Sequence, residues 1–401
     1  MKAGWRTEPL NAVCQLINRG VSPAYVESGG VAVLNQKCVR DHAVNFDLGR
    51  RHNSAEKKVS IDKFLRAGDV LVNSTGTGTL GRVAQLRNSP IEPTTVDSHV
   101  TVVRPKDGLF YPEFFGYALI AIEEQIQEGG EGCGGQTELA RSKLANDFRV
   151  SFPDDISTQQ RIVTLLDEAF DGIATAKTNT EKNQQNARAI FESHLQAVIS
   201  QRDDERVAMR LDDACDLITC GVAAKPNYVE VGVPFLSAKN VKRGEIVWSG
   251  YNCVAKKTHD ELTKNNKPLK GDILYTRVGS YGEAAVVEED IEFSVFVSLT
   301  LIKPTKHLLD NYFLKYYLNS SGVKEFAKRS ISSSGVGNLN VGTVREFPIN
   351  LPSLAEQANI VASLHKVINE SRRLESIYQQ KITALDELKK SLLHCAFNGE
   401  L

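Results

Sequence analysis

The sequence predicts an α+β protein in which two β-rich modules alternate with two long α-helices. Three observations carry this prediction: the chain of 401 residues repeats with a period near 200, each repeat begins with short β-branched segments, and each ends in a heptad pattern. A chain of this length suits two or three domains, and so long a period indicates a duplicated domain. The predicted domains, in order, are residues 1–153, 154–205, 206–352 and 353–401.

The two modules share sequence signals at corresponding positions. Both open with the pattern L-x-x-[VA]-C-x-L-I-x-x-G-V, at residues 10–21 and again at 211–222. In each module the sequence G-D-[VI]-L, at 68–71 and 271–274, leads into a loop rich in small polar residues. Short apolar segments bounded by glycine and polar residues are typical of strands, so each module is expected to have a β-rich core.

The central helix is predicted over residues 154–200. Ser157 and Gln160 have the spacing of a capping box at its start. Apolar residues recur at intervals of three and four, the pattern of a helix that packs along another helix. The predicted seam positions are Ile162, Leu166 and Ile173. After the polar stretch of residues 178–186, the pattern is predicted to resume at Ala187, Ile190, His194 and Val198.

The distal helix is predicted over residues 353–398, and Ser353 and Glu356 form its capping box. Its heptad seam consists of Ile360, Leu364, Leu374, Leu385, Leu388 and Leu392. A coiled coil between separate molecules is the simplest alternative for such a helix. Because the chain contains two of them, we expect the helices to pack antiparallel within one molecule.

Composition narrows the class of protein. The net charge is −1, so any surface that binds nucleic acid must be local. The seven cysteines have no C-x-x-C spacing and the eight histidines form no ligand cluster, which indicates reduced thiols and a cytoplasmic protein without a metal site. The N-terminus lacks the apolar segment of a signal peptide, and no segment reaches the roughly 18 apolar residues of a membrane span.

One glycine-rich stretch is similar to a phosphate-binding loop. Residues 76–83 fit G-x-G-x-x-G-x-V, but only a short segment separates them from Pro90, and the equivalent residues 276–282 lack the G-x-G. A dinucleotide site needs a helix after this motif, and the partner motifs of a kinase do not occur. We therefore expect a tight turn, or a loop whose backbone approaches a ligand closely. No catalytic residue is assigned.

The polar loops supply the candidate DNA contacts. Serine, threonine, asparagine and glutamine side chains bind base edges and phosphates, and arginine can bind guanine through two hydrogen bonds. Arg277 is the strongest single candidate for reading a guanine; a phosphate or solvent contact is the alternative. The candidates are Ser74, Thr75, Thr77, Arg82, Arg104, Gln136 and Thr137 in the first module and Lys239, Thr276, Arg277, Ser280, Tyr281, Asn338 and Asn340 in the second.

The end of the chain resembles the specificity subunits of type I restriction-modification enzymes. Their distal signature is similar to P-P-L-x-E-Q-x-x-I-V-x-x-L-D followed by L-L-x-x-A-F-x-G-E-L. Residues 352–364 and 392–401 match most of this signature, and His365 stands where the family has an aspartate.

A weaker copy of the same signature lies in the middle of the chain. Pro153, Gln159 and residues 161–163 match, whereas Thr158 replaces the glutamate that precedes the glutamine. The two copies together extend the resemblance over the whole chain.

The resemblance implies a non-catalytic subunit that selects a DNA sequence. Each module would be a target recognition domain that binds one half of a split site in double-stranded DNA. The helices would form an antiparallel coiled coil, relate the two domains by a pseudo-twofold axis, set the spacing of the half-sites and dock two methylase subunits. Those subunits use S-adenosylmethionine to methylate adenine N6, and motor-nuclease subunits complete the enzyme. ATP and Mg²⁺, like S-adenosylmethionine, would belong to the partners, and this chain would carry no cofactor.

Three alternatives remain open at this point. A bridging scaffold with two peptide- or sugar-binding modules predicts no salt-dependent DNA binding. An enzyme that uses the glycine-rich loop predicts affinity for ATP or a dinucleotide. A solitary or antirestriction relative would bind DNA or a methylase without a working restriction system, and the neighbouring genes would distinguish it.

Overall fold

The computed structural model describes residues 4–131, 137–201, 206–279, 281–331 and 338–401. The chain divides into two compact units. Unit 1 comprises Met1–Thr180 and Gln380–Leu401, and unit 2 comprises Glu181–Gln379. Each unit therefore contains one module and one half of each long helix.

The described part of unit 1 is built mostly from short strands. They are β1 (Trp5–Pro9), β2 (Cys14–Arg19), β3 (Tyr25–Val26), β4 (Val31–Leu34), β5 (Val39–Arg40), β6 (Ala43–Val44), β7 (Arg50–His52), β8 (Val70–Asn73), β9 (Val83–Gln85), β10 (Thr94–Val96), β11 (Val100–Pro105) and β12 (Arg149–Pro153). The helices are α1 (Leu10–Val13), α2 (Pro112–Ala121), α3 (Glu123–Glu128), α4 (Arg141–Asn146) and α5 (Ile156–Ser200), whose second half belongs to unit 2.

Two four-stranded sheets form the centre of unit 1. One has the order β2-β11-β8-β9 and is antiparallel, and the other has the order β10-β4-β7-β3 with a parallel β10-β4 pair. Side chains alternate between the faces of a strand. Val70 and Val72 accordingly lie in the core beneath α2, whereas Leu71 lies in a second core on the other face. Both faces of β8 are buried, which explains why its first three residues, Val70 to Val72, are all apolar.

Unit 2 repeats this architecture. Its strands are β13 (Val207–Arg210), β14 (Cys215–Cys220), β15 (Tyr228–Val229), β16 (Val233–Leu236), β17 (Val241–Lys242), β18 (Glu245–Ile246), β19 (Asn252–Val254), β20 (Ile273–Thr276), β21 (Ala284–Val286), β22 (Ser294–Val295), β23 (Leu299–Pro304) and β24 (Pro348–Leu351). Its helices are α6 (Lys256–Leu262), α7 (Asn311–Asn319), α8 (Ser321–Arg329), α9 (Val341–Arg345) and α10 (Leu354–Phe397), which continues into unit 1.

The sheets of unit 2 have the same strand order as those of unit 1. They are β14-β23-β20-β21 and β15-β19-β16-β22, again with one parallel pair, between β16 and β22. Ile273 and Tyr275 face the core beneath α7, and Leu274 faces the second core. The predicted duplication of an α+β module is confirmed.

Both long helices are confirmed, and each begins and ends within two residues of its predicted bounds. The predicted cap of α5 is wrong. Asp155, rather than Ser157, accepts hydrogen bonds from the backbone N–H groups of Ser157 and Thr158, at 3.3 and 2.9 Å. The Ser157 and Thr158 hydroxyls also donate to this carboxylate, and these bonds lower its pKa to about 2.

At the start of α10 the predicted cap is correct in part. The Ser353 hydroxyl accepts a hydrogen bond from the Glu356 backbone N–H at 3.2 Å. The Glu356 carboxylate does not complete the box; it forms an ion pair with Arg206 at 2.5 Å. This ion pair instead connects the first turn of α10 to the residue that precedes β13.

A buried glutamine joins the start of α5 to the module of unit 1. The Gln159 side-chain oxygen accepts a hydrogen bond from the Tyr111 backbone N–H at 2.8 Å, directly before α2. Its NH₂ group donates to the Pro153 carbonyl at 2.9 Å, at the end of β12. Because buried polar groups must be paired, these bonds determine where α5 leaves the module.

Gln357 repeats this arrangement at the start of α10. Its side-chain oxygen accepts a hydrogen bond from the Asp310 backbone N–H at 2.8 Å, and its NH₂ group donates to the Leu308 and Pro352 carbonyls at 2.9 Å. Gln159 and Gln357 are both 0% exposed. The two units thus attach their long helices through the same set of hydrogen bonds.

The halves of the long helices within unit 1 pack antiparallel. The predicted seam residues Ile162, Leu166 and Ile173 are buried, and the first two share a core with Leu393 and Ala396 of α10. Further along α5, Lys177 forms an ion pair with Asp386 at 2.9 Å. The contacting residues therefore have increasing numbers along α5 and decreasing numbers along α10, as in an antiparallel pair.

The halves within unit 2 are antiparallel as well. The predicted seam residues Ile360 and Leu364 share a buried core with Leu195. The Ser371 hydroxyl donates to the Ala187 carbonyl at 2.8 Å, and Arg188 forms an ion pair with Glu375 at 2.9 Å.

The seam of α10 departs from the predicted heptad. Leu374, Leu385 and Leu392 are only partly buried, and Leu388 is 47% exposed. From Ile360 to the fully buried Ala396 there are 396 − 360 = 36 residues, which is ten turns at about 3.6 residues per turn. A straight helix with about 3.6 residues per turn does not keep every seventh residue on the same face. The predicted heptad leucines near the end of α10 therefore lie beside the buried face and not on it.

The seam of α5 also differs from prediction in its middle part. Ile190, which was expected to be buried, is 60% exposed, whereas Thr180 in the polar stretch is only 1% exposed. The Thr180 hydroxyl donates to the Ala176 carbonyl at 2.7 Å within the helix, so it can be buried without an unpaired donor. The seam therefore passes through the polar stretch without a break in the helix.

Neither the long helices nor any shorter helix among the described residues combines the length and apolar character that a membrane crossing requires.

We expect Gln357→Leu to lower the free energy of unfolding by about 1–3 kcal/mol, because it leaves a buried N–H group and two carbonyls unpaired. Asn359→Leu is a matched control, since it changes an exposed side chain two positions further along α10, and its effect should stay within about 0.5 kcal/mol. Urea denaturation followed by circular dichroism measures both. Equal stability of the two variants would show that the glutamine does not anchor the helix.

A second prediction concerns which leucines of α10 are buried. Leu364→Asp should destabilise unit 2 by several kcal/mol, because it places a charge where the side chain is 0% exposed. Leu388→Asp should change stability by less than about 0.5 kcal/mol, because its site is open to solvent. Differential scanning calorimetry of the two variants tests the contrast. Comparable losses of stability in the two variants would indicate that Leu388 is buried, as the strict heptad predicts.

Candidate nucleic-acid interface

Four segments of unit 1 meet at one end of the β2-β11-β8-β9 sheet. In the loop after β8, the Ser74 backbone N–H donates to the His99 carbonyl at 2.8 Å, directly before β11. The Leu139 N–H donates to the Ser74 carbonyl at 2.8 Å. The Asn73 side chain donates to the Gln36 carbonyl at 3.0 Å, which adds a turn before β5. We call these four segments the loop cluster of unit 1.

Unit 2 builds a loop cluster with the same backbone pattern. The Arg277 N–H donates to the Ser298 carbonyl at 3.0 Å, and the Leu339 N–H donates to the Arg277 carbonyl at 2.9 Å. The Ser298 hydroxyl accepts a hydrogen bond from the Ala238 N–H at 3.0 Å, so the turn before β17 joins as well. Lys239 is the next residue of this turn and is exposed. In both units the loop after the central strand is therefore hydrogen-bonded to the segment before the short helix, α4 in unit 1 and α9 in unit 2.

Polar side chains of the first loop cluster, half-buried at Thr75 and Gln36 and exposed at His99, form a small network. The Thr75 hydroxyl lies 2.7 Å from His99 Nδ1 and 3.2 Å from Gln36 Oε1. Ser74 is fully buried and bonds to the Thr101 hydroxyl at 2.5 Å, so it supports the loop from beneath. His99 and Gln36 were not predicted, because only the tertiary fold brings them to the loop.

Three arginines border this cluster. Arg82, a predicted site residue, is half-buried and donates to the Gly78 carbonyl at 2.9 Å. Arg19 donates to the Leu139 carbonyl at 2.9 Å and pairs with Glu138 at 2.5 Å. Arg141 begins α4, is exposed, and donates to the Asn18 side chain at 2.8 Å. Arg19 was not predicted, since its segment carries no polar-loop signal.

Arg104 does not belong to this surface. Its side chain is 10% exposed and forms two hydrogen bonds with Asp69, at 2.6 and 2.7 Å, and a third with the Phe64 carbonyl at 2.9 Å. The bonds to Asp69 raise the pKa of Arg104. The arginine is occupied in stabilising the chain before β8, so the prediction that it contacts DNA is wrong.

Arg277 is also engaged by the protein. It is 8% exposed, and its guanidinium donates to the Leu339 carbonyl at 2.9 Å, the Val297 carbonyl at 3.2 Å and the Asn338 side-chain oxygen at 3.0 Å. Because each guanidinium nitrogen already donates to a protein acceptor, no free pair of N–H groups remains to bind a guanine through two hydrogen bonds. Its role is to hold the loop cluster of unit 2 together.

The remaining predicted DNA contacts differ in burial and in hydrogen bonding. Thr276 is buried and accepts a hydrogen bond from the Glu283 N–H at 2.9 Å. Asn340 caps α9 by accepting from the Gly342 N–H at 2.9 Å. Thr77 is exposed, whereas Thr137 and Tyr281 are half-buried. Gln136 and Ser280 lie outside the described residues.

The described residues contain no group of three or more histidine, cysteine, aspartate or glutamate side chains arranged to hold a metal ion. The chemistry of the loop clusters is that of neutral polar groups beside positive charges. This combination suits hydrogen bonds to bases and to phosphates.

Comparison with known proteins agrees with this description. The sequence profile of the type I restriction modification DNA specificity domain matches residues 4–185 and again residues 204–384. The EcoBI type I restriction enzyme specificity subunit of Escherichia coli is 25% identical over 335 residues, which cover 77% of this chain and 70% of that protein. The EcoKI specificity subunit of Escherichia coli strain K12 is 24% identical over 187 residues, 45% of this chain and 40% of that protein.

Solved structures show the same fold. A chain from a study of complex assembly and conformational transition of the type I R-M system matches with a TM-score of 0.79 and 18% identity, covering 100% of this chain and 99% of that chain. The HsdS subunit from Thermoanaerobacter tengcongensis matches with a TM-score of 0.60 and 18% identity, covering 100% and 98%. Because the profile matches both halves of the chain, this protein belongs to the family of type I restriction-modification DNA specificity subunits.

Proposed function

We propose that each module reads one half of a split site in double-stranded DNA through its loop cluster. The observation that carries this proposal is that the two clusters share their backbone hydrogen bonds but differ in their side chains. Ser74, Thr75 and His99 of unit 1 are replaced by Arg277, Val278 and Ser298 in unit 2. A shared frame with different side chains suits two half-sites of different sequence.

The physical basis is that backbone bonds hold the frame without depending on side-chain identity. Exposed side chains on such a frame can change without unfolding the module, and base edges are read by side chains. In unit 1 we assign base contacts to Thr75, His99 and Gln36. Arg141 is exposed beside the same cluster and is assigned to a phosphate contact, which positions the protein on the duplex.

In unit 2 the proposed contacts are Asn338, Tyr281 and Lys239. Asn338 is exposed and uses its side-chain oxygen for Arg277, which leaves its NH₂ group as a donor. Lys239 supplies a positive charge beside the same cluster. Arg277 acts through Asn338 by fixing the orientation of the amide.

The chain is proposed to act only as part of a larger enzyme. With a net charge of −1 it should bind DNA weakly by itself, since neutralisation of phosphates supplies much of such affinity. We assign catalysis to two methylase subunits, which would methylate adenine N6 with S-adenosylmethionine, and to motor-nuclease subunits, which would use ATP and Mg²⁺. The long helices would dock the methylases and set the distance between half-sites, in the cytoplasm.

Leu388 is the position on α10 that we assign to the docking surface. Its apolar side chain is 47% exposed, so its burial by a partner would be favourable.

We expect Leu388→Asp to weaken assembly with the methylase subunit at least tenfold while the isolated chain keeps its stability. Val231→Asp is a matched control, because it introduces the same charge at a side chain that is 91% exposed in a loop of unit 2. Co-purification and analytical ultracentrifugation with the methylase measure the effect. Assembly equal to that of the control would remove this part of α10 from the interface.

His99→Ala should relax discrimination at one base pair of one half-site, by roughly 1–3 kcal/mol. The assay is methylation by the assembled enzyme of a DNA library with both half-sites randomised. Ser298→Ala, at the equivalent position in unit 2, is the control and should leave the half-site of unit 1 unchanged. A uniform loss at every position, with a shallower salt dependence, would instead indicate a phosphate contact.

A further inference from the structure

Unit 2 contains an open cavity away from its loop cluster. Its volume is about 380 Å³, within the roughly 300–1,000 Å³ of small-molecule pockets. The tip of the β17–β18 hairpin lines one side, α7 lines another, and the halves of α5 and α10 within unit 2 complete it. No part of the proposed DNA contacts lies in its lining.

The lining is rich in positive charge. It contains five basic residues and three acidic ones; they are Arg188, Arg243, Lys315, Lys324 and Arg372, with Glu192, Glu283 and Glu375. Arg188 pairs with Glu375 at 2.9 Å, Lys324 with Glu283 at 3.0 Å, and Arg372 with the nearby Glu245 at 2.5 Å. Among the described residues, no carboxylate forms an ion pair with Arg243 or Lys315.

Lys315 is a partly desolvated cation. Its ammonium lies 5.2 Å from the ring centroid of Tyr312 and 4.7 Å from that of Tyr316, and burial lowers its pKa. Glu288 and Glu245 oppose this shift from a distance, whereas Arg372 adds to it. Aromatic faces attract a cation but do not neutralise it, so an anion at this position would gain a strong electrostatic partner.

Arg243 occupies an unusual backbone position. It is the first central residue of the β17–β18 turn, with φ of 53°, and Gly244 follows with φ of 76°. Turns with both φ values positive favour asparagine, aspartate or glycine at these positions. The backbone disfavours an arginine at such a position. The side chain is exposed and borders the cavity.

The equivalent region of unit 1 contains a smaller cavity, so a cavity of this size is not a requirement of the fold. His42, in the β5–β6 turn, contacts Glu123 at 2.6 Å, and the remaining cavity has a volume of about 170 Å³. Gly116 stands at the position of Lys315, because Tyr117 aligns with Tyr316. A Cβ atom on Gly116 would lie 2.2 Å from Gln85 Oε1, so glutamine fills the space there.

We propose that the cavity of unit 2 binds a small ligand carrying a phosphoryl or pyrophosphoryl group, held by Arg243 and Lys315. Two cations without carboxylate partners can supply charge-assisted hydrogen bonds to such a group. The cavity volume of about 380 Å³ is that of a site for a small molecule.

Isothermal titration calorimetry of the full chain with inorganic pyrophosphate tests the proposal. We expect one site per chain and an affinity at least tenfold lower in Arg243→Ala and in Lys315→Met. Lys315→Arg should keep most of the affinity. Lys242→Ala is the matched control, because this exposed lysine adjoins Arg243 but does not line the cavity; its affinity should stay within twofold of the wild type.

Two results would overturn the proposal: no binding to the wild-type chain, or an equal loss in Lys242→Ala, which would indicate a non-specific charge effect. Circular dichroism checks that Lys315→Met is folded; if it is not, the exposed Arg243 decides the outcome. A second titration uses a DNA duplex that contains the target site, with and without pyrophosphate. If the duplex displaces pyrophosphate and Arg243→Ala weakens duplex binding equally, the anion is a DNA phosphate and a free ligand is ruled out.

Discussion

The buried glutamine at the start of each long helix is the constraint on which the rest of each unit depends. Gln159 and Gln357 are 0% exposed, and each joins a strand end, the segment before a module helix and the first turn of a long helix. An amide that is fully buried must satisfy its donors and its acceptor at once, which few geometries allow. The helix therefore leaves each module in a fixed direction, and the buried stripe that follows has a defined beginning.

A second repeated constraint acts beneath the loop clusters. Asp69 binds Arg104, and Asp272 binds Lys303, so both modules bury an ion pair at the start of the strand that leads into the loop. The aspartates also accept hydrogen bonds from the Arg66 and Leu269 N–H groups, at 2.9 and 2.8 Å. The G-D-[VI]-L signal thus marks a rigid support, because removal of either partner would leave a buried charge unpaired.

The two units show how a duplicated fold divides constant and variable chemistry. Backbone hydrogen bonds and buried side chains repeat, since packing tolerates little change. Exposed positions diverge: Lys177–Asp386 in unit 1 corresponds to Glu375–Arg188 in unit 2 with the charges exchanged. The same freedom allows one unit to narrow a cavity with Gln85 while the other leaves a larger space lined by more basic than acidic side chains.

The sequence by itself determined the duplication, the α+β class, both long helices and the polar loops that follow the G-D-[VI]-L strands, because these follow from local pattern and repetition. The tertiary structure decided which polar residues are available. Arg277 and Arg104 have the right chemistry for DNA but are held by protein acceptors, and His99 and Gln36 reach the surface site from distant segments. It also decided the seam, where the helical period of about 3.6 residues leaves Leu388 exposed and buries Ala396. The burial and the partners of a side chain depend on residues that are distant in the chain, and a sequence without its fold does not show which of them lie close together.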